Sequence, residues 1–244
     1  MIDEIDKHLN QEILKWGQTE LNSKDCRLQF KKEAICKTGL FLVKKRYVLN
    51  VLNNKGIECD YMKYTGVEIN KSDTPKAIKP LIKKVIETLI KTQNPDETDT
   101  VFKETYQMFK SIPIENIAIS KNIKNLGKYK KLSDGFEIVK HCPIHVKCAI
   151  IYNMLLDRLN LTTKYEKIRS GQKMKFCYVL PNKYNINSIG FYDKYPQEFG
   201  LEMDIDKMFN KTIVKSIERF YDAIGWKIKN PKDEFAVDLL KILN

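Results

Sequence analysis

The sequence predicts an α+β chain: a β-hairpin with a flanking helix near its start, then a mostly helical region that carries a small second hairpin. Three observations predict it. Leu40–Val51, LFLVKKRYVLNV, is a strongly β-prone run. Asn53-Asn54-Lys55-Gly56 is a turn cluster between that run and a second apolar run over 57–65. Beyond residue 75 the apolar residues recur at helical rather than strand spacing.

In order, residues 2–22 read as a helix, with Ile2, Ile5, Leu9, Ile13 and Trp16 on one face and Gly17 weakening its end. Residues 28–37 are ambiguous, and Gly39 punctuates the approach to the β-prone run. Residues 40–52 and 57–65 then form the hairpin. Thr74 suits an N-cap and Pro75 the first helical position, so a helix is expected over 75–92 with Ile78, Leu81, Ile82, Val85, Ile86 and Leu89 inward. Pro80 falls in its first turns, where a missing amide does least harm. Asn94-Pro95-Asp96 breaks the chain before a helix over 97–110. Ile114–Ser120 reads as a short apolar strand. A helix over 143–159 buries Val146, Ile150, Met154 and Leu155. Residues 164–180 suggest the second hairpin, turning at Ser170-Gly171-Gln172, and 182–195 is irregular and aromatic. Asp204–Ile224 is the clearest amphipathic helix, with Ile205, Met208, Phe209, Ile213, Ile217, Phe220 and Ile224 on its apolar face.

At 244 residues the chain can bury a core in one large or two small domains. Its 43 Lys+Arg against 31 Asp+Glu leave a formal charge of +12, which implies a polyanionic partner, nucleic acid or an anionic membrane. No apolar run approaches a membrane span, and the acidic, polar start MIDEIDKHLN is no signal peptide. The 6 cysteines lack the spacing of a small disulfide scaffold and read as reduced thiols in a cytoplasm.

Within the β-prone run stand Lys44, Lys45 and Arg46, followed by Tyr47. Burying three cations unpaired is costly, so they should face something negative. On a strand Lys45 and Tyr47 share one side, Lys44 and Arg46 the other. That arrangement suits a nucleic-acid backbone and groove; it equally suits an edge strand guarded by lysines against aggregation. The window 121–147 has seven lysines and only Asp134 and Glu137 against them, a cationic surface or simply a solvated one. In the last amphipathic helix Lys207, Lys211, Lys215 and Arg219 recur every four residues with no acid between them in the row, for which a phosphate backbone is a natural counterpart.

These stretches carry a resemblance. KKRY at 44–47, followed by Gly66-Val67-Glu68-Ile69-Asn70-Lys71-Ser72-Asp73-Thr74-Pro75, resembles the end of the palm in family B DNA polymerases, above all the replicative polymerases of T-even-type phages, which read KKRY and then G-[LI]-E-x-x-K-S-x-T-P. Asn125-Leu126-Gly127-Lys128-Tyr129 resembles that family's N-I-A-K-Y, and Cys142-Pro143-Ile144-His145 its CPFH. The likeness runs from about Leu28 to the end. It implies a palm end over 1–72, a thumb over 73–230 and a tail over 231–244. It also implies that Lys44, Lys45, Arg46 and Tyr47 lie along the duplex minor groove. Lys71, Ser72 and Thr74 would contact the backbone at the palm–thumb joint, and Lys128, Tyr129, His145 and Lys147 would line the thumb. Lys211 and Lys215 would extend the phosphate contacts. In that family the C-terminus docks on the sliding clamp; here Phe235, Leu239, Leu240 and Leu243 repeat at helical spacing, though such a tail can equally pack on its own domain.

The chemistry of such a polymerase is not in this sequence. Two aspartates holding two Mg²⁺ ions are needed, and the SLYPS-type, Y-x-D-T-D-S and K-x-x-x-N-S-x-Y-G motifs are all missing. The one D-x-D, Asp204-Ile205-Asp206, opens the amphipathic helix, where acids suit the helix dipole. Cys142, His145 and Cys148 have residue types that suit zinc, but two of them fall on the expected helix and no second pair has convincing spacing. The 3 histidines form no recognisable nucleophile–base motif, and glycine-rich phosphate loops are missing. The expectation is therefore a split polymerase. This chain grips primer–template duplex and carries no cofactor, while a partner chain supplies the exonuclease, fingers, catalytic aspartates and Mg²⁺.

The departures from the family are the lack of G-N-P-F-G-D around 182–192, SIGF in place of A-W-P, and a weakly matching N-terminal helix, which suits a joint to the partner. Without that partner the hairpin's apolar face should be uncovered and solubility poor. The alternatives are a free-standing basic DNA-binding protein and a degenerate polymerase remnant with a scaffold role at the clamp.

Overall fold

The first helix, α1 (Ile2–Glu20), runs as its periodicity predicts. The strands β1 (Ala34–Val43), β2 (Arg46–Asn54) and β3 (Ile57–Thr65) then form a three-stranded sheet in that order. The computed structural model describes residues 2–25, 27–67, 69, 71–129, 132 and 135–229, with only the backbone of Ile2 and Asp3. The α+β class holds: helices accompany two small three-stranded sheets.

By compactness the chain divides into two units, residues 1–40 with 48–63, and residues 41–47 with 64 onward. In the first unit, α1 is joined to the extended segment before β1 by side chains acting as a strand would. The Asn10 amide donates to the Phe30 carbonyl at 2.9 Å and accepts from the Phe30 amide at 2.8 Å. The Asp6 carboxylate accepts from the Lys32 amide at 3.2 Å. The β2–β3 turn falls at Lys55-Gly56, both at positive φ (53° and 90°), as a tight two-residue hairpin requires.

The expected single strand over 40–52 is corrected. Leu40–Val43 ends β1, Lys44-Lys45 is the turn, and Arg46 begins β2. The hairpin tip is the one place in such a run where consecutive ammonium groups stay in water, so solvation of charge outweighs strand propensity.

In the second unit, α2 (Lys79–Thr92) lies against α3 (Pro95–Lys110). Helix α2 starts four residues later than the Thr74-Pro75 pair suggests, and its N-cap is Ile78, without a side-chain cap. Pro80 explains this: a helix running from 75 would need its missing amide and would bring its ring against the Lys76 carbonyl. Asn94 caps α3 by accepting from the amides of Asp96 and Glu97.

The expected strand over 114–120 is instead one helical turn, α4 (Ile114–Ile117), followed by β4 (Ile119–Asn122). Pairing with Phe176 of the strand over 173–178 begins only at Ile119, and the residues before it, with Ile117 and Ala118 both buried, turn helically instead. β5 (Lys173–Tyr178) pairs with β4 and with β6 (Ser188–Phe191), both antiparallel. Residues 164–170 therefore do not make the first arm of a hairpin. The backbone of Ile168 is bonded in both directions to the Asn153 side chain, at 2.8 Å each way, which occupies its strand-type hydrogen bonds.

α5 (Ile144–Arg158) packs on β6 and β5. A Cβ on Gly190 of β6 would stand 3.1 Å from the Cys148 carbonyl, so the helix and sheet approach closely there. Helix α5 buries Val146 and Leu155 as expected, but Ile150 and Met154 are only half-buried; Ile151, Tyr152 and Leu156 take the inner positions.

The last helix is interrupted: α6 (Ile205–Phe209), a π segment over Asn210–Val214, then α7 (Lys215–Ala223). The Thr212 hydroxyl donates to the Met208 carbonyl and the Ser216 hydroxyl to the Thr212 carbonyl, both at 2.7 Å, back-bonding that loosens a regular helical ladder. Phe209 anchors this helix among Phe102, Tyr106 and Phe109 of α3, with ring centroids 5.5, 4.9 and 5.3 Å away.

Candidate nucleic-acid interface

Lys44 and Lys45 stand exposed at the tip of the β1–β2 hairpin, and Lys45 adopts a left-handed φ of 62°. Arg46 and Tyr47 are half-buried. The Tyr47 ring lies 5.4 Å from that of Phe41, which is 68% exposed, so the two aromatics flank each other across the strands beside the lysines. The tip therefore presents cations and apolar rings together, rather than cations on alternate faces of one strand.

Gly66 holds the back of this tip. It has φ +63°, and an added Cβ would overlap the Lys45 carbonyl oxygen and stand 3.1 Å from Arg46 Cγ. Only glycine meets both the backbone sign and the closeness. Arg46 also lines a recess of about 410 Å³ with Leu42, Val43, Arg219, Asp222 and Ala223, so the tip reaches the end of α7.

The cationic row on that helix is real. Lys211 and Lys215 are exposed, and the Lys211 ammonium is held below the ordinary lysine range, chiefly by the Lys215 charge beside it, then by partial burial and by Lys207. Like charges this close each disfavour the other's charged form. Lys207 departs from the row in one respect: its ammonium sits 4.9 Å over the Tyr178 ring.

A second cluster forms around the stretch 71–74. Lys71 and Ser72 are exposed and Thr74 is half-buried. Between them Asp73 forms an ion pair with Lys121 of β4. His145, in the first turn of α5, senses both: burial lowers its pKa most, the Lys121 charge lowers it further, and Asp73 partly opposes them. Lys147, on the same helix, is half-buried. The fold thus joins 71–74 to the start of α5 through Lys121, which sequence reasoning passed over as one of many lysines in its window. The closeness of Arg219 to Arg46 and the bracing role of Gly66 are likewise not written in local spacing.

Lys128 ends a short 3-10 turn, exposed, with its ammonium 6.0 Å from the Tyr129 ring. Asn125, at φ 55°, tolerates the left-handed conformation that starts this turn. Phe235, Leu239, Leu240 and Leu243 lie outside the described residues.

The carboxylates that could be mistaken for a metal pair are otherwise engaged. Asp204 caps α6, accepting from the Lys207 amide at 2.9 Å. Asp206 accepts the Tyr106 hydroxyl, whose pKa is raised to about 12 by burial and by that carboxylate. These residues do not fit a two-metal centre. Cys148 faces the core, where burial pushes its thiol up to about 12, working against the thiolate that zinc needs. Among the described residues no group of three His, Cys, Asp or Glu is gathered as a metal site, and no helix is long and apolar enough to cross a membrane.

No family model matches the chain. Among characterised proteins it is similar to the DNA-directed DNA polymerase of Enterobacteria phage T4, 24% identical over 200 residues, 77% of this chain and 21% of the relative. It is similar also to the DNA-directed DNA polymerase of Escherichia phage RB69, 28% identical over 197 residues, 76% of this chain and 21% of the relative. The likeness is distant homology, and the chain spans about a fifth of the length of these relatives.

Proposed function

We propose that the chain grips primer–template duplex for DNA replication, as the C-terminal part of a split family B DNA-directed DNA polymerase whose partner chain carries the catalytic aspartates and the exonuclease. The observation that carries this reading is the approach of its cations: Arg46 at the hairpin tip and Arg219 at the end of the Lys211–Lys215 row line one recess, with Asp222 the carboxylate between them and solvent-exposed Lys44 and Lys45 beside it. A surface built that way suits a regular polyanion better than a single small anion.

In this reading Lys44, Lys45 and Arg46 donate to minor-groove acceptors beside the primer end. Such acceptors occur in every base pair, so the tip reports pairing without reading sequence. Lys71, Ser72 and Thr74, with Lys128, Tyr129, His145 and Lys147, hold the backbone further along, as a thumb does. Lys211 and Lys215 neutralise phosphates, which makes binding salt-dependent. The residues past 230 are a candidate clamp-docking tail. No step of nucleotide transfer is assigned to this chain, since Asp204 and Asp206 are occupied by a helix cap and by Tyr106.

The test is reconstitution: primer extension with this chain alone, with a polypeptide carrying the Y-x-D-T-D-S motif alone, and with both. Extension only in the mixture supports the reading. Salt-sensitive duplex binding by this chain with no extension in the mixture would replace it with a free-standing DNA-binding protein.

A further inference from the structure

We infer that the outer face of α1, together with the extended segment 28–33, is a docking face for another polypeptide: the one that supplies the catalytic carboxylates under the two-chain reading above, on which this inference rests. The first unit does not make a core of its own. Its only buried apolar side chains among the described residues are Val48 and Val51. The apolar face that the spacing of α1 predicts is instead turned outward, with Ile5 51%, Leu9 41% and Trp16 47% exposed. A helix of 19 residues with no buried apolar stripe is marginal in water, because packing of such a stripe provides most of a helix's stability. Leu28 and Phe30 are exposed beside it. An apolar surface so concentrated marks an interaction site.

The charge around that face says what covers it. Beside α1 lies an open cleft of about 1250 Å³, lined by Leu14, Leu28 and Phe30 and by Lys7, Lys31 and Lys55 among others. Lys7, Lys31 and Lys55 have no ion-pair partner among the described residues, while the acids of the cleft are engaged: Asp6 accepts the Lys32 amide and Glu33 pairs with Lys63 at 3.2 Å. A second copy of this chain would set one lysine rim against another. A partner face that is apolar at its centre and carries carboxylates at its edge meets both features.

The experiment co-expresses the full chain with the Y-x-D-T-D-S polypeptide and measures α1 amide exchange, complex affinity and primer extension. The variant combines Trp16→Glu and Phe30→Ser, both at exposed positions, and its fold is verified by circular dichroism and unchanged duplex binding. The expected result is slowed exchange along α1 in the complex and at least about tenfold weaker association of the variant, the scale of removing apolar anchors from an interface. Equal affinity of variant and wild type overturns the docking face. So does protection of α1 in a homodimer of this chain, detected by light scattering. Extension that proceeds without α1 protection also overturns it and leaves the polymerase reading standing. An α1-dependent complex that never extends a primer overturns the polymerase reading and leaves the docking face.

Discussion

The α-carbon of Gly66 rests on the backbone of Lys45, so closely that a Cβ would overlap the Lys45 carbonyl oxygen. Two motifs some twenty residues apart are thereby locked together at the point where the chain exposes its lysine pair. Gly66→Ala should cost about 2 kcal/mol, from the left-handed backbone and the overlap combined, because neither can be relieved while the tip stays in place. Denaturant unfolding checks the stability loss, and duplex affinity should fall with it. An alanine variant that binds duplex with unchanged affinity would show that the tip needs no such brace.

The lysine row makes a prediction about salt. Replacing both Lys211 and Lys215 by Ala should weaken duplex binding similarly across sequences and reduce the slope of log affinity against log salt by roughly 1.8, about 0.9 for each phosphate that is no longer neutralised. Lys84→Ala is the control, since that ammonium already pairs with Glu104 at 2.8 Å. An unchanged slope would remove the row from the interface.

His145 gives a pH test. Burial and the Lys121 charge lower its pKa in the folded chain, with Asp73 opposing, so the unfolded chain holds its proton at higher pH than the folded one does. The contribution to stability is therefore present above about pH 6.5, the ordinary histidine value, and is lost as pH falls from there through the folded value. Proton NMR should place the imidazole below the ordinary range, and His145→Gln should flatten that part of the stability profile. If His145 meets phosphate, duplex binding raises its pKa, which the same titration reads.

Asp99 offers a stability test away from the interface. Its buried carboxylate accepts the Tyr221 hydroxyl at 3.3 Å and pairs with Lys229 at 2.9 Å, tying α3 to α7 and the residues after it. Asp99→Ala should destabilise by about 2 kcal/mol, because the buried Tyr221 hydroxyl loses its partner. Tyr221→Phe, which removes that hydroxyl instead, should cost less. The unfolding midpoints of the two variants decide the order.

The parts of this fold legible in the sequence are those written in local spacing. The helices α1, α3 and α5 and the long C-terminal helix follow from apolar residues recurring at the helical period, and the β2–β3 turn from Asn53-Asn54-Lys55-Gly56. The misses have long-range causes. Ile114–Ile117 is apolar enough for a strand but turns helically, because the ladder with β5 begins only at Ile119. Ile168 has its strand bonds taken by Asn153, fifteen residues earlier.

For the candidate interface, the sequence by itself determined which side chains are available: the KKRY run, the 71–74 stretch and a lysine row without acids. It did so because charge and helical period are local properties. Only the tertiary structure decided where they stand. It put Lys44 and Lys45 on a hairpin tip, set Arg46 beside Arg219, and tied Asp73 to Lys121 across a separation of 48 residues. Contacts of that kind depend on how helices and sheets pack around a shared core, and no local pattern in the chain encodes them.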